Sequence, residues 1–190
     1  MTKSLPTIAL FSLLTACQSA PPSQVPPSAL PLVVVSGGLQ THLAAEPSFA
    51  VATQGNHVWL EDATAAANVE NQISLLLTQR LIEGGLPITA SDQARYRFRF
   101  ELGTDKLLTD ADLQQRWGLN PGYAGSSRYP KGAMVLDLVD AQSGRSVWRG
   151  AVQSDVMPAS MDPAQRQARM VRILDQLLGQ LKQQFPASGL

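Results

Sequence analysis

Arg95-Tyr96-Arg97-Phe98-Arg99-Phe100-Glu101-Leu102 alternates charged and large apolar side chains without a break. A period of two is the mark of a β-strand, with Tyr96, Phe98, Phe100 and Leu102 on one face and Arg95, Arg97, Arg99 and Glu101 on the other. Burying four apolar side chains at about 1.5–3 kcal/mol each makes this strand a main contributor to the core. The arginine row has two readings. It is either a grip on anionic lipid headgroups or an acidic partner, or a solvated sheet face whose aliphatic stems cover apolar neighbours.

Upstream of this strand, Val69, Ile73, Leu76, Leu77 and Leu81 recur at steps of three and four, which predicts an amphipathic helix whose stripe packs on a sheet. Asp62 or Thr64 can accept from the free amides of its first turn, and Gly84-Gly85 followed by Pro87 ends it. Earlier still, Leu32-Val33-Val34-Val35 before Gly37-Gly38 reads as a first strand. Residues 48–60 hold a second strand candidate, with Gly55-Asn56 as a turn.

Downstream, residues 104–132 differ in kind. A short helix is expected over residues 110–117, and the stretch to Pro130 has turn residues throughout and no period. Its aromatic residues Trp117, Tyr123 and Tyr129 are candidate anchors for a partner, or else plugs over the domain's own core. Residues 133–152 then read as a β-hairpin around Asp140-Ala141-Gln142-Ser143-Gly144-Arg145. Here Asp140 is expected as a turn former and Asp137 as an outward strand residue rather than as paired carboxylates for catalysis. A last helix begins at Pro163 behind the cap Asp162, with Met170, Ile173, Leu174, Leu177, Leu178, Leu181 and Phe185 forming a broad apolar stripe. Gly179 within it is expected to allow close packing. The order of elements predicts an α+β fold: a mixed sheet of four to five strands with two long amphipathic helices packed on one face.

Lysine plus arginine and aspartate plus glutamate number 15 each, and that balance lacks the footprint of a nucleic-acid binder. A single cysteine forms no internal disulfide, and His42 and His57 stand in no ligand-like spacing, so neither a metal nor a cofactor is expected. No phosphate-cradling loop lies between a strand and a helix, and Gly125-Ser126-Ser127 lacks the flanks of a nucleophile elbow. Enzymatic activity is therefore not expected.

The first 16 residues carry Lys3, an apolar run and then small residues, in the order of a secretory signal too short to span and remain. Leu14-Thr15-Ala16-Cys17 resembles the lipobox of bacterial lipoproteins. That resemblance implies cleavage before Cys17, a diacylglycerol on its thiol and commonly an acylated amine, chains enough for durable anchoring. Gln18 after the cysteine, rather than Asp, points to the periplasmic face of a Gram-negative outer membrane. The expected organisation is a removed signal peptide (residues 1–16), a lipidated cysteine with a proline-rich tether (17–31) and one α+β domain (32–190).

A second resemblance rests on Gly132-Ala133-Met134-Val135-Leu136-Asp137-Leu138-Val139-Asp140-Ala141, on Ser143-Gly144, on Val147-Trp148-Arg149-Gly150 and on the helix ending in Phe185-Pro186. The Val69-Glu70-Asn71 opening of the first helix fits as well. These segments resemble a bacterial lipoprotein family catalogued as domain of unknown function 4136. The resemblance implies a lipid-anchored envelope domain and brings no catalytic residues. The function expected is that of an accessory module binding an envelope protein through a sheet edge or the Trp117–Tyr129 loop. The alternative is a carrier or sensor of a small apolar ligand or lipid, held in a groove between sheet and helices.

Overall fold

The computed structural model of the chain describes residues 32–36, 43–120, 122–123, 130–156 and 162–184. The lipobox with Cys17, the tether, His42, Tyr129 and Phe185 lie outside the described residues. The elements follow in the order β1 (Leu32–Ser36), β2 (Phe49–Val51), β3 (His57–Trp59), α1 (Ala63–Glu83), β4 (Tyr96–Thr104), α2 (Asp110–Trp117), β5 (Lys131–Asp140), β6 (Ser146–Asp155) and α3 (Pro163–Gln184).

The strands form one mixed sheet. β1, β6, β5 and β4 pair antiparallel in that order, and β2 and β3 both run parallel along the free edge of β4. Six short and long strands thus occupy five positions across the sheet, in accord with the α+β class and the mixed sheet expected. Between β2 and β3 the edge is interrupted, and the Asn56 side chain fills the gap. Its Oδ1 accepts from the Phe100 amide at 3.2 Å while its Nδ2 donates to the Ala52 carbonyl at 2.8 Å. The amide replaces the strand that would otherwise satisfy β4 there.

Both long helices cover one face. α1 starts at the cap Asp62, whose Oδ1 accepts from the Ala65 amide at 2.8 Å, and buries Ile73, Leu77 and Leu81. α3 contributes Ile173, Leu174, Leu177, Leu178 and Leu181. They close over Tyr96, Phe98, Phe100, Met134, Leu136, Leu138, Trp148 and Val152 in one continuous core. The alternation in β4 is therefore realised as expected.

Coverage of the other face departs from expectation. α2, held by a capping box between Thr109 and Asp112, lies across it with Leu108, Leu113 and Leu119 packed on Ala133, Val135 and Ala151. Asp137 faces away from the aromatic core, as expected of an outward strand residue, but has no solvent exposure at all. Its face is covered by an element whose apolar content is too small to announce itself in the sequence.

Glycine placement also corrects the reading of α3. A Cβ on Gly179 would meet nothing within 4 Å, so this residue permits no close approach. The close approach occurs at Gly150 on β6, where a Cβ would stand 2.7 Å from the Trp148 ring and 3.0 Å from Leu177. The indole folds over the glycine two residues along on the same strand face, beneath α3. Gly150→Ala is accordingly expected to destabilise the protein by about 1–3 kcal/mol through overpacking. Gly179→Ala should stabilise it by up to about 1 kcal/mol through helix propensity. Urea denaturation of the two variants checks both signs.

Candidate functional site

On the α2 face, the register of the central strands places charges in a row. Arg99, Asp137 and Arg149 lie directly opposite one another on β4, β5 and β6. Arg99 Nη2 donates to Asp137 Oδ2 at 2.9 Å, Arg149 Nε donates to Asp137 Oδ1 at 3.2 Å, and the Ser146 hydroxyl donates to the same Oδ1. Two further pairs flank this one: Arg95 with Asp140 at 2.7 Å and Arg116 with the buried Glu101 at 2.6 Å. Asp140 also forms the expected turn, its Oδ1 accepting from the Gln142 and Ser143 amides at 2.8 and 3.3 Å. Burial pushes the Asp140 carboxyl up, but the Gln142 amide, the Arg95 guanidinium and the Ser143 amide outweigh it and hold it below the ordinary range.

At the end of the sheet where β4 and β6 finish, an apolar cleft of about 290 Å³ opens between the sheet and the first turns of α1 and α3. Leu60, Val69, Met134, Val152, Met170 and Ile173 are among the side chains forming its walls, and Arg166, Arg169 and Asp155 also line it. Arg169 Nη2 donates to the Asp155 carbonyl at 2.9 Å. Burial, and then the like charge of Arg172, push its guanidinium below the ordinary arginine value. A cation in this state favours an added anion, because part of its hydration is already lost.

Trp117 and Tyr123, the aromatic residues of the irregular stretch that are described, fold back onto the domain. The half-buried Trp117 ring stands 4.8 Å from the Arg149 guanidinium, and its carbonyl accepts from Arg149 Nη1 at 2.9 Å. Tyr123 donates its hydroxyl to Asp155 Oδ1 at 3.1 Å and its amide to Gln153 Oε1 at 3.3 Å, which brings it to a residue of the cleft. Burial, then the bond to Asp155, raise its phenol above the ordinary value. One surface residue had no sequence signal. Trp59, 37% exposed on β3, donates its indole N–H to Glu101 Oε2 at 3.2 Å, and the Arg116 guanidinium lies 5.8 Å from both the Trp59 and Trp117 rings. Exposed His57 lies on the same short edge strand, its ring 5.7 Å from that of Trp59.

Among the described residues no group of three or more His, Cys, Asp or Glu is placed to hold a metal ion, and no helix is long and apolar enough to cross a membrane. What the geometry defines is an α+β domain with an ion-paired sheet face on one side and an amphipathic cleft at one end. The chain belongs to the family described as Domain of unknown function (DUF4136), whose model matches residues 39–186. Comparison with curated proteins finds no match. Among solved structures it is distantly similar to PelC dodecamers from Paraburkholderia phytofirmans. One, a point variant, is 17% identical with a TM-score of 0.43, over 78% of this chain and 97% of the other. A second crystal form gives 15% identity and the same TM-score over 82% and 96%.

The Arg95–Asp140 pair at the hairpin turn has a pH signature. Because the folded state holds Asp140 below its unfolded value of about 3.9, its contribution is complete above that value and is lost as pH falls through the lowered one. Asp140→Asn is expected to lower Tm at pH 7 and to flatten the loss of stability below about pH 4. Thermal melts of both proteins from pH 7 to pH 2 check it, since a purely geometric role would give parallel curves.

Proposed function

We propose that this chain is a lipid-anchored domain of the bacterial envelope that carries or senses an anionic amphiphile, the apolar tail lying in the cleft and the charged head at Arg166 and Arg169. The observation that carries the reading is the pairing of apolar walls with a desolvated Arg169 in one opening. At about 290 Å³ the cleft sits near the lower end of the range for small-molecule sites, which suits a single acyl chain better than a diacyl lipid. Leu14-Thr15-Ala16-Cys17 supports attachment through Cys17 to the periplasmic face of the outer membrane, where such amphiphiles are at hand.

A second reading keeps the accessory role. Arg116 between Trp59 and Trp117, its side chain 42% exposed, is an aromatic and guanidinium platform of the composition that dominates binding to envelope proteins or other macromolecules. Tyr123 and Tyr129 belong to the same irregular stretch of sequence as Trp117 and are assigned to the same partner.

Two experiments test the proposal. Cys17→Ala is expected to leave the membrane fraction and to lose labelling by a fatty-acid probe; unchanged membrane association would remove the anchor from the reading. For the cleft, the full chain in mild detergent should bind a fluorescent fatty acid. Arg169→Gln should weaken that binding about tenfold, equivalent to 1.4 kcal/mol. Met170→Trp, which fills the cleft, should abolish it. Unchanged binding in both variants would leave the Trp59–Arg116 platform as the better account, tested in turn by crosslinking from positions 59 and 123 in cells.

A further inference from the structure

Thr53, Gln54, Ser91, Arg97 and Arg99 line a separate concavity of about 310 Å³ on the α2 face of the sheet, bounded by Val139, Ala141 and Gly144 of the hairpin. The polar side chains lining it are two guanidinium groups, two hydroxyls and an amide, and no carboxylate lines it. Arg95 and Arg116 have their own carboxylates, and Arg99 shares Asp137 with Arg149. Arg97 has none within ion-pair distance among the described residues. Its one hydrogen bond there is a long 3.4 Å contact from Nη2 to the Asp92 carbonyl. The Nε–H groups of Arg97 and Arg99 are both buried without an acceptor.

Charge bookkeeping on this patch comes out positive. Of the residues that line it, Arg97 and Arg99 face one carboxylate, Asp137, which Arg99 shares with Arg149. Arg97 and Arg99, two residues apart on one strand face, stand about 6.6 Å apart along the chain, close enough for one multidentate acceptor to reach both. Arg99 keeps 39% of its side chain exposed while paired, beside a concavity large enough for a polyatomic guest.

We propose that this concavity is an anion site that takes a phosphate group, either free or as the exposed head of a larger molecule. A guanidinium fork matches two oxygens of a tetrahedral oxyanion, so Arg97 supplies the primary contact and Arg99 the second, with the Thr53 and Ser91 hydroxyls and the Gln54 amide available to the remaining oxygens. A cation is excluded by the same donor set, and a purely apolar guest would leave the donors unpaired.

The test uses the full chain in neutral detergent, titrated with inorganic phosphate against chloride at matched ionic strength and pH. A saturable rise in Tm of a few degrees is expected at about ten times Kd, in phosphate alone. Arg97→Gln should weaken the apparent affinity at least tenfold. Arg172→Gln, which removes the same charge from the exposed side of α3, should leave it unchanged, and so should Met170→Trp, which separates this site from the cleft. A second arm floats the Cys17→Ala chain with phosphatidylglycerol vesicles and with phosphatidylcholine vesicles. Binding that depends on Arg97, needs the anionic lipid and is displaced by phosphate identifies a headgroup as the source. A response to free phosphate alone identifies a soluble one. An equal phosphate response in Arg97→Gln, or no Arg97-dependent binding in either arm, overturns the proposal.

Discussion

A carboxylate with no access to water sets the terms for this fold. Asp137 sits at the middle of the central strand, and removing its charge from solvent is tolerable only with opposite charge and hydrogen bonds close at hand. Arg99, Arg149 and Ser146 supply them, from β4, from β6 and from the bulge that follows the hairpin turn. A slip of one residue in either pairing would carry Asp137 or its partners into the aromatic layer beneath α1 and α3. The network therefore does more to select one register than to add net stability, since such pairs recover little beyond their desolvation cost. Arg149 extends the same constraint to the connection after β4, because it holds both the ring and the carbonyl of Trp117 at the end of α2.

The elements that the sequence makes legible are those whose stabilisation is local or periodic. The alternation of residues 95–102, the helix stripes at Ile73, Leu77 and Leu81 and at Ile173, Leu177 and Leu181, the caps Asp62 and Asp162, and the turn at Asp140 all follow from spacing alone. What spacing cannot report is whether a face is covered. α2 is eight residues long and buries only Leu113 from its own length, the remaining apolar cover coming from Leu108 and Leu119 beyond its ends. The counter-charges of the arginine row are remote in the chain: Asp137 is 38 residues from Arg99 and Asp140 is 45 from Arg95. Three-residue strands such as β2 and β3 have no period to read, and exist because β4 offers them an edge.

The candidate sites were less legible than the fold, for a related reason. The cleft draws on Leu60, Val69, Met134, Val152 and Met170, from five separate parts of the chain, and each reads locally as a core residue. The general expectation of a groove between sheet and helices was available, but its residues and its arginines were not. Trp148 with Gly150 is the opposite case. A tryptophan two residues before a glycine in a strand places ring and gap on one face, so the close approach of α3 at Gly150 follows from spacing, whereas Gly179 meets open space.

The side-chain amide of Asn56 bears on how copies of this domain meet. An uninterrupted outer strand would offer a stranger's backbone a row of open donors and acceptors. Here that rim is broken into two three-residue pieces joined through a side chain, and the kink at Gly55, with φ of +83°, turns the backbone between them. No long, straight template remains along that border for amyloid-like accretion. Wherever copies of the domain are crowded together, such a border favours solubility over self-adhesion.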